Sequence, residues 1–186
     1  MSFVKPLNLL YFTLHTGFDV QKPGLVLTLL NDGTVRAVDV NGADDAKVGM
    51  GDTDGPEPTF AVAYMTSEDP LYDPHSTNHS VQYLTGVEMA VVREGVVMVP
   101  YHLDLAFGAI AIGDLVSTLN QNILFDGHVR NHVPTALPNA YADGTTDTIL
   151  EEANAIVGIA LEAKAANTTG YIKILLQIRE IQYEHT

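Results

Sequence analysis

A stretch near the end of the chain, Ala155 to Ile178, reads AIVGIALEAKAANTTGYIKILLQI, and its period of two leaves little freedom in what it can become. In the first part Val157, Ile159 and Leu161 point one way and Gly158, Ala160 and Glu162 the other, as the alternation of a β-strand requires. In the second part Ile172, Ile174, Leu176 and Ile178 share a face, with Lys173 and Gln177 opposite. Between them Ala166-Asn167-Thr168-Thr169-Gly170 supplies turn chemistry, with Asn167 and Gly170 the residues that tolerate positive φ. The stretch is a hairpin, and it carries no reactive group that chemistry could use.

The rest of the chain repeats this style. Leu9–His15 reads as a first strand, or as part of an apolar N-terminal arm covering residues 1–22. Gly24–Leu30 runs through Asn31-Asp32-Gly33 and returns as Thr34–Asp39, because Asp-Gly between apolar runs is a strong hairpin signal. Phe60–Met65 is a further short strand. Val81–Arg93 is a long strand that should turn at Glu94-Gly95 into Val96–Pro100. Ala109–Ile112 leads through Gly113-Asp114 to Leu115–Leu119, and Asn122–Phe125 meets a turn at Asp126-Gly127 from which His128–Val133 returns. Three polar stretches, Asn41–Pro58, Thr66–Ser80 and Pro134–Thr146, interrupt the pattern as long loops, each either disordered or used for contact. The one candidate helix, opened by the capping-box spacing Thr148-Ile149-Leu150-Glu151, is short.

The expected fold is therefore all-β: a small β-barrel or sandwich of short hairpins with long loops and at most one short helix. At 186 residues, against roughly 100–200 residues per domain, residues 23–186 make a single β-rich domain. A weak repeat runs inside it. Gly24-Leu25-Val26-Leu27-Thr28-Leu29 resembles Gly113-Asp114-Leu115-Val116-Ser117-Thr118-Leu119, and Val62-Ala63-Tyr64-Met65 resembles Gly158-Ile159-Ala160-Leu161. Two related halves, 23–66 and 108–178, would explain the similarity, as would the chance likeness of β-rich sequences.

Composition narrows the function classes. Nine Lys and Arg against 23 Asp and Glu give a net charge of -14, and no basic cluster offsets it, so direct binding to nucleic acid or to an anionic membrane is disfavoured. The absence of cysteine excludes disulfides, zinc–thiolate sites and thiol catalysis. Met1–Pro6 lacks the pattern of a signal peptide, and no apolar run reaches the length of a membrane-spanning helix, so a soluble protein is expected.

Four constellations resemble sites. Asp69, Asp73, His75 and His79 are metal-ligand types, but His75 and His79 share a face only on a helix, which Pro70 and Pro74 oppose. Asp52-Thr53-Asp54-Gly55 begins like a calcium loop, yet Pro56 occupies the fifth position and Ala63 the twelfth. Both stretches read as solvated loops. His128, Arg130 and His132 alternate and so share a strand face, read as the wet side of an edge strand in preference to a pH-responsive strip. Ser67 and Ser117 would each need a partnered His and an acid, and no Gly-x-Ser-x-Gly elbow, phosphate loop or dinucleotide fingerprint is present. No catalytic, metal or cofactor residue is assigned, and the chain is read as a non-enzyme.

Gly113-Asp114-Leu115-Val116 opening a strand, then Ile156-Val157-Gly158-Ile159-Ala160-Leu161-Glu162-Ala163, a small-residue loop and Tyr171-Ile172-Lys173-Ile174-Leu175-Leu176, resembles the head decoration, or cement, proteins of tailed bacteriophages. Pro23-Gly24-Leu25-Val26 and Asn31–Val35 are similar in style. The resemblance covers the strand-rich regions and not the long loops. It implies a non-enzymatic β-barrel on the exterior of an assembled virion capsid, made in the host cytoplasm, commonly a trimer that clamps neighbouring capsomers. Its partners would be the major capsid protein and itself, with the apolar segment Phe3–Phe18 as a docking arm. Two other readings compete. One is a fibre or tail module whose loops bind a host-surface carbohydrate. The other is a metal-dependent hydrolase built on His75 and His79.

Overall fold

The structure, a computed structural model, describes residues 9–14, 24–30, 32–38, 59–64, 88–103, 108–118, 127–132, 153 and 155–178. These residues are all-β, in two antiparallel five-stranded sheets packed through a shared core and not closed into barrels. In chain order the first sheet holds β1 (Leu9–Thr13), β2 (Val26–Leu29), β3 (Val35–Ala37), β4 (Ala61–Ala63) and β5 (Glu88–Val92). The second holds β6 (Glu94–Leu103), β7 (Leu115–Ser117), β8 (Arg130–Asn131), β9 (Ile156–Ala160) and β10 (Thr168–Gln177). Ala153 and Ala155 are helical immediately before β9. The capping residues Thr148–Glu151 lie outside the described residues.

The two sheets are built to one plan. The first runs β1-β5-β4-β2-β3 and the second β6-β10-β9-β7-β8, the same order when each is counted from its own first strand. Registers agree as well. Val26 and Leu27 face Val62 and Ala61 across β2 and β4, and Leu115 and Val116 face Ile159 and Gly158 across β7 and β9. Gly24 N–H donates to Ala63 O (2.8 Å) and Ala63 N–H to Leu25 O (2.9 Å). In the second sheet Gly113 N–H donates to Ala160 O (2.9 Å) and Ala160 N–H to Asp114 O (2.8 Å). In each sheet the outermost strands also touch through a single parallel bridge, Leu14 to Val35 in the first and Tyr101 to Val129 in the second. Even the buried polar positions match, since Thr28 faces Arg36 and Ser117 faces Arg130.

Matching positions fill the two interiors. Leu14, Leu27, Val35, Ala61, Ala63, Met89 and Val91 form one cluster inside the curl of the first sheet. Their counterparts Tyr101, Val116, Val129, Ala160, Ile172 and Ile174 lie in the other, inside the second sheet. Each fully buried Leu or Ile contributes roughly 1.5–3 kcal/mol by its removal from water. The second cluster is larger because Val26, Val38, Val62 and Val92, from the outer face of the first sheet, join it. Backbone bonds from Val26 N–H to Gly127 O (2.8 Å) and from Gly127 N–H to Val38 O (3.0 Å) tie the sheets together there.

Three sequence expectations need revision. Glu94-Gly95 is not a turn: residues 88–103 run on, leaving the first sheet after Val92 and entering the second at Glu94. β5 has its partners in β1 and β4, and β6 has its own in β10, so the two never pair. Arg93 marks the crossover, its Nε donating to Phe60 O (3.1 Å) and its guanidinium lying 4.7 Å from the centre of the Phe60 ring. The second revision concerns β9. Ser117 pairs with Ile156 while Val116 pairs with Gly158, so Val157 is an extra residue bulged into the strand. A bulge resets the alternation. Val157 and Ala160 therefore point inward, and Leu161 is exposed, on the face that Ile159 shares. Third, of the two readings of the N-terminal segment the strand holds and the docking arm does not for the described residues: Leu9–Thr13 pairs with β5 over five residues, and Leu14 behind it is fully buried.

Candidate interaction surface

Gly158 and Ala160, the inward positions in the second half of β9, are small, while Ile159 and, just past the strand, Leu161 face outward. The strand is inverted relative to ordinary amphipathic patterning. Pairing extends the apolar row sideways: Val96 of β6 faces Leu175 of β10, Leu175 faces Ile159, and Ile159 faces Leu115 of β7. Val96 (43% exposed), Leu175 (36%) and Leu115 (37%) leave this four-strand row open to solvent. Met98 and Tyr171 flank it on the same face, and Lys173, opposite Met98, is its cation.

In the first sheet the equivalent row is Leu9, Val92, Val62 and Val26. It has the same chemistry and a different fate: Val26, Val62 and Val92 are almost wholly buried because the second sheet covers them.

Charge is sparse around the open row. Burial alone would raise the pKa of Glu162, but hydrogen bonds from the Lys164 ammonium (3.0 Å) and the Lys173 backbone N–H (2.9 Å), with the charges of both lysines, hold it below 4.5. Half-burial pushes the Tyr171 phenol above its ordinary value. A shallow depression of about 490 Å³ lies at the sheet crossover, bordered by Leu9, Leu10, Arg93, Glu94, Gln177 and Ile178. Its walls hold one cation, one carboxylate and the Gln177 amide beside apolar side chains.

The residues singled out as possible sites are scattered. Asp69, Asp73, His75 and His79 lie outside the described residues, as do Asp52–Pro56 and Ser67. Ala63 sits in β4, buried in the first core. Ser117 is fully buried in β7, where its cross-strand neighbour is Arg130. His128 and Arg130 are buried and only His132 is partly exposed, which corrects the expectation of a wet strand face. The stretch is held on two sides: the backbone of Gly127, just before it, is bonded to Val26 and Val38 of the first sheet, and Val129 bridges to Tyr101 of β6. Among the described residues no group of three or more His, Asp or Glu is placed to hold a metal ion.

Sequence reasoning missed the apolar row itself, because alternation assigns Ile159 to the core. The available signal was Ala61-Val62-Ala63 beside Gly158-Ile159-Ala160, where small residues flank a large one in both halves. Compared with known proteins, the chain matches no family model, and no curated protein is a significant match.

Proposed function

We propose that this protein is a structural component of a bacteriophage virion, binding the outer surface of the assembled capsid and stabilising it by clamping neighbouring capsomers. The observation that carries the reading is the uncovered apolar row Val96–Leu175–Ile159–Leu115 on a two-sheet body. A surface of that kind marks a protein contact. A net charge of -14 suits a protein that works outside a shell and ignores the genome within. The resemblance of 113–116, 156–163 and 171–176 to cement proteins points the same way. The partners are the major capsid protein and further copies of the chain, with a trimer favoured, and the location is the capsid exterior.

The mechanism is linkage. A protein that binds the expanded lattice and not its disassembled subunits stabilises the lattice by mass action. Several linked contacts multiply the effect through effective concentration. The three polar stretches that the sequence suggests are long loops, Asn41–Pro58, Thr66–Ser80 and Pro134–Thr146, are the proposed clamps.

The test is co-sedimentation of the purified protein with expanded, undecorated heads of the phage that encodes it. Saturable binding at a fixed ratio to capsomers, with a raised temperature of shell disruption, is the expected result. Absence of binding overturns the proposal, and saturable binding of the isolated protein to a host glycan would establish the carbohydrate-recognition alternative in its place.

A further inference from the structure

We infer that the outer face of the second sheet docks onto the first sheet of another copy of this chain, head to tail, repeating between molecules the contact that joins the two halves within one. This deepens the self-association included in the proposal above, but it rests on the internal repeat alone and stands whether or not a shell is the larger partner.

The intramolecular contact has two sides. On one side the first sheet presents Val26, Val62 and Val92, with Gly24 pressed onto the backbone of Met98 and Val99. On the other side the second sheet presents the β6 backbone at Met98 and the tip at Gly127, where a Cβ would come within 2.9 Å of Val26 O. Superposing the two plans gives each element a twin. Gly24 corresponds to Gly113, Gly127 to Gly33, and Met98 to Tyr11.

Every twin is uncovered. A Cβ on Gly113 or on Gly33 would meet nothing within 4 Å, whereas the glycines they match are packed against backbone. Leu10 is 40% exposed, whereas its counterpart Val97 packs against the shared core, so the receiving edge of the first sheet is open too. The molecule thus carries one used copy of this interface and, at opposite ends of the repeat, the two unused halves of a second. Such a contact is heterologous: it joins unlike surfaces and produces a closed ring where the rotation permits. Each chain also carries -14, so the apolar contact must overcome mutual repulsion, and added salt should strengthen association.

Two substitutions separate the surfaces. Leu175→Lys spoils the outer face of the second sheet and Tyr11→Lys spoils the receiving edge of the first. Both positions are exposed in the single chain, and thermal unfolding of each variant reports whether it is folded. Val96→Lys, at 43% exposure, is the second variant for the outer face should Leu175→Lys unfold. Sedimentation of the wild type should show a defined oligomer, and either variant alone should sediment as a monomer. Mixing the two variants leaves one intact surface on each, so a 1:1 dimer and nothing larger should form. A monomeric wild type at all salt concentrations overturns the inference. So does an oligomer that survives the outer-face substitution, or one that survives Tyr11→Lys. None of these readings involves capsids, so failure of shell binding leaves the result unaffected.

Discussion

Gly24 and Met98 meet backbone to backbone, and a Cβ added to Gly24 would overlap the Met98 carbonyl oxygen. The contact is a seam between the two sheets, made where the chain has no side chain to spare. Gly24 also has φ +83°, a left-handed conformation that other residues adopt at a cost.

The two effects can be separated experimentally. Gly33 has nearly the same φ, +84°, with open space around it. Gly33→Ala should cost only the conformational strain, about 1–2 kcal/mol. Gly24→Ala should cost that strain and about 1–3 kcal/mol more for forced overlap. Urea denaturation of both variants at high dilution gives the difference, and equal losses would show that the seam yields.

Tyr101 is the bridge residue of the second sheet, buried in its core, with its hydroxyl donating to Thr168 Oγ1 (3.2 Å) and Lys164 over its ring at 5.5 Å. Tyr101→Phe removes only the hydrogen bond and should lower stability by about 0.5–1.5 kcal/mol. Tyr101→Ala empties the site and should cost about 3–5 kcal/mol. Equilibrium unfolding distinguishes a packing role from a polar one by the ratio of the two losses.

Removal of the first strand should unfold the first sheet. Leu14→Ala is the point version of that deletion, and a fully buried Leu of this kind costs about 2–5 kcal/mol. A chain lacking residues 2–18 should lose amide protection in β5 as well as β1, because the two are partners over five pairs. Hydrogen exchange measures this directly, and full protection of β5 in the truncated chain would contradict the register.

Glu162 supplies a pH dependence. Its carboxyl is held below 4.5 in the folded chain, so its contribution to stability is complete above the unfolded value and is lost as pH falls through the folded one. Glu162→Gln should therefore destabilise the protein at pH 7 and make no difference once the carboxyl is protonated at strongly acid pH. The group is solvent-exposed, so the effect at pH 7 stays below about 1 kcal/mol and shrinks with salt. Chemical denaturation at the two pH values checks it.

Much of this fold is written in local sequence. Asp32-Gly33 turns the β2–β3 hairpin, with Asp32 Oδ1 accepting from Thr34 N–H (2.8 Å) and Thr34 Oγ1 (2.6 Å). Asn167 takes the positive φ (58°) that its place in the closing hairpin suggests. What sequence could not supply is which strand lies beside which. Glu94-Gly95 has turn residues, but a hairpin there would have deprived β6 of ten pairs with β10, and such distant pairing leaves no local mark. The same holds for the apolar row. Ile159 faces outward because one extra residue, Val157, enters β9 opposite Val116 and Ser117, and alternation read along one strand cannot reveal its partner's register. The burial of His128 and Arg130 is hidden for a related reason, since Gly127, just before them, is bonded to Val26 and Val38 in the other half of the chain.

The direct passage from β5 to β6 at Arg93 also sets the order of events during synthesis. Leu9 finds its partner only when Val92 has left the ribosome, so the first sheet stays open until its fifth strand arrives. That arrival delivers β6 in the same stroke, as the opening strand of a second sheet that then waits for β10. The nascent chain thus folds as two long-range closures in series, each slow because its ends are far apart in sequence. In the interval the finished first sheet holds Val26, Val62 and Val92 uncovered, and that is when the growing chain is most open to capture by another copy of itself.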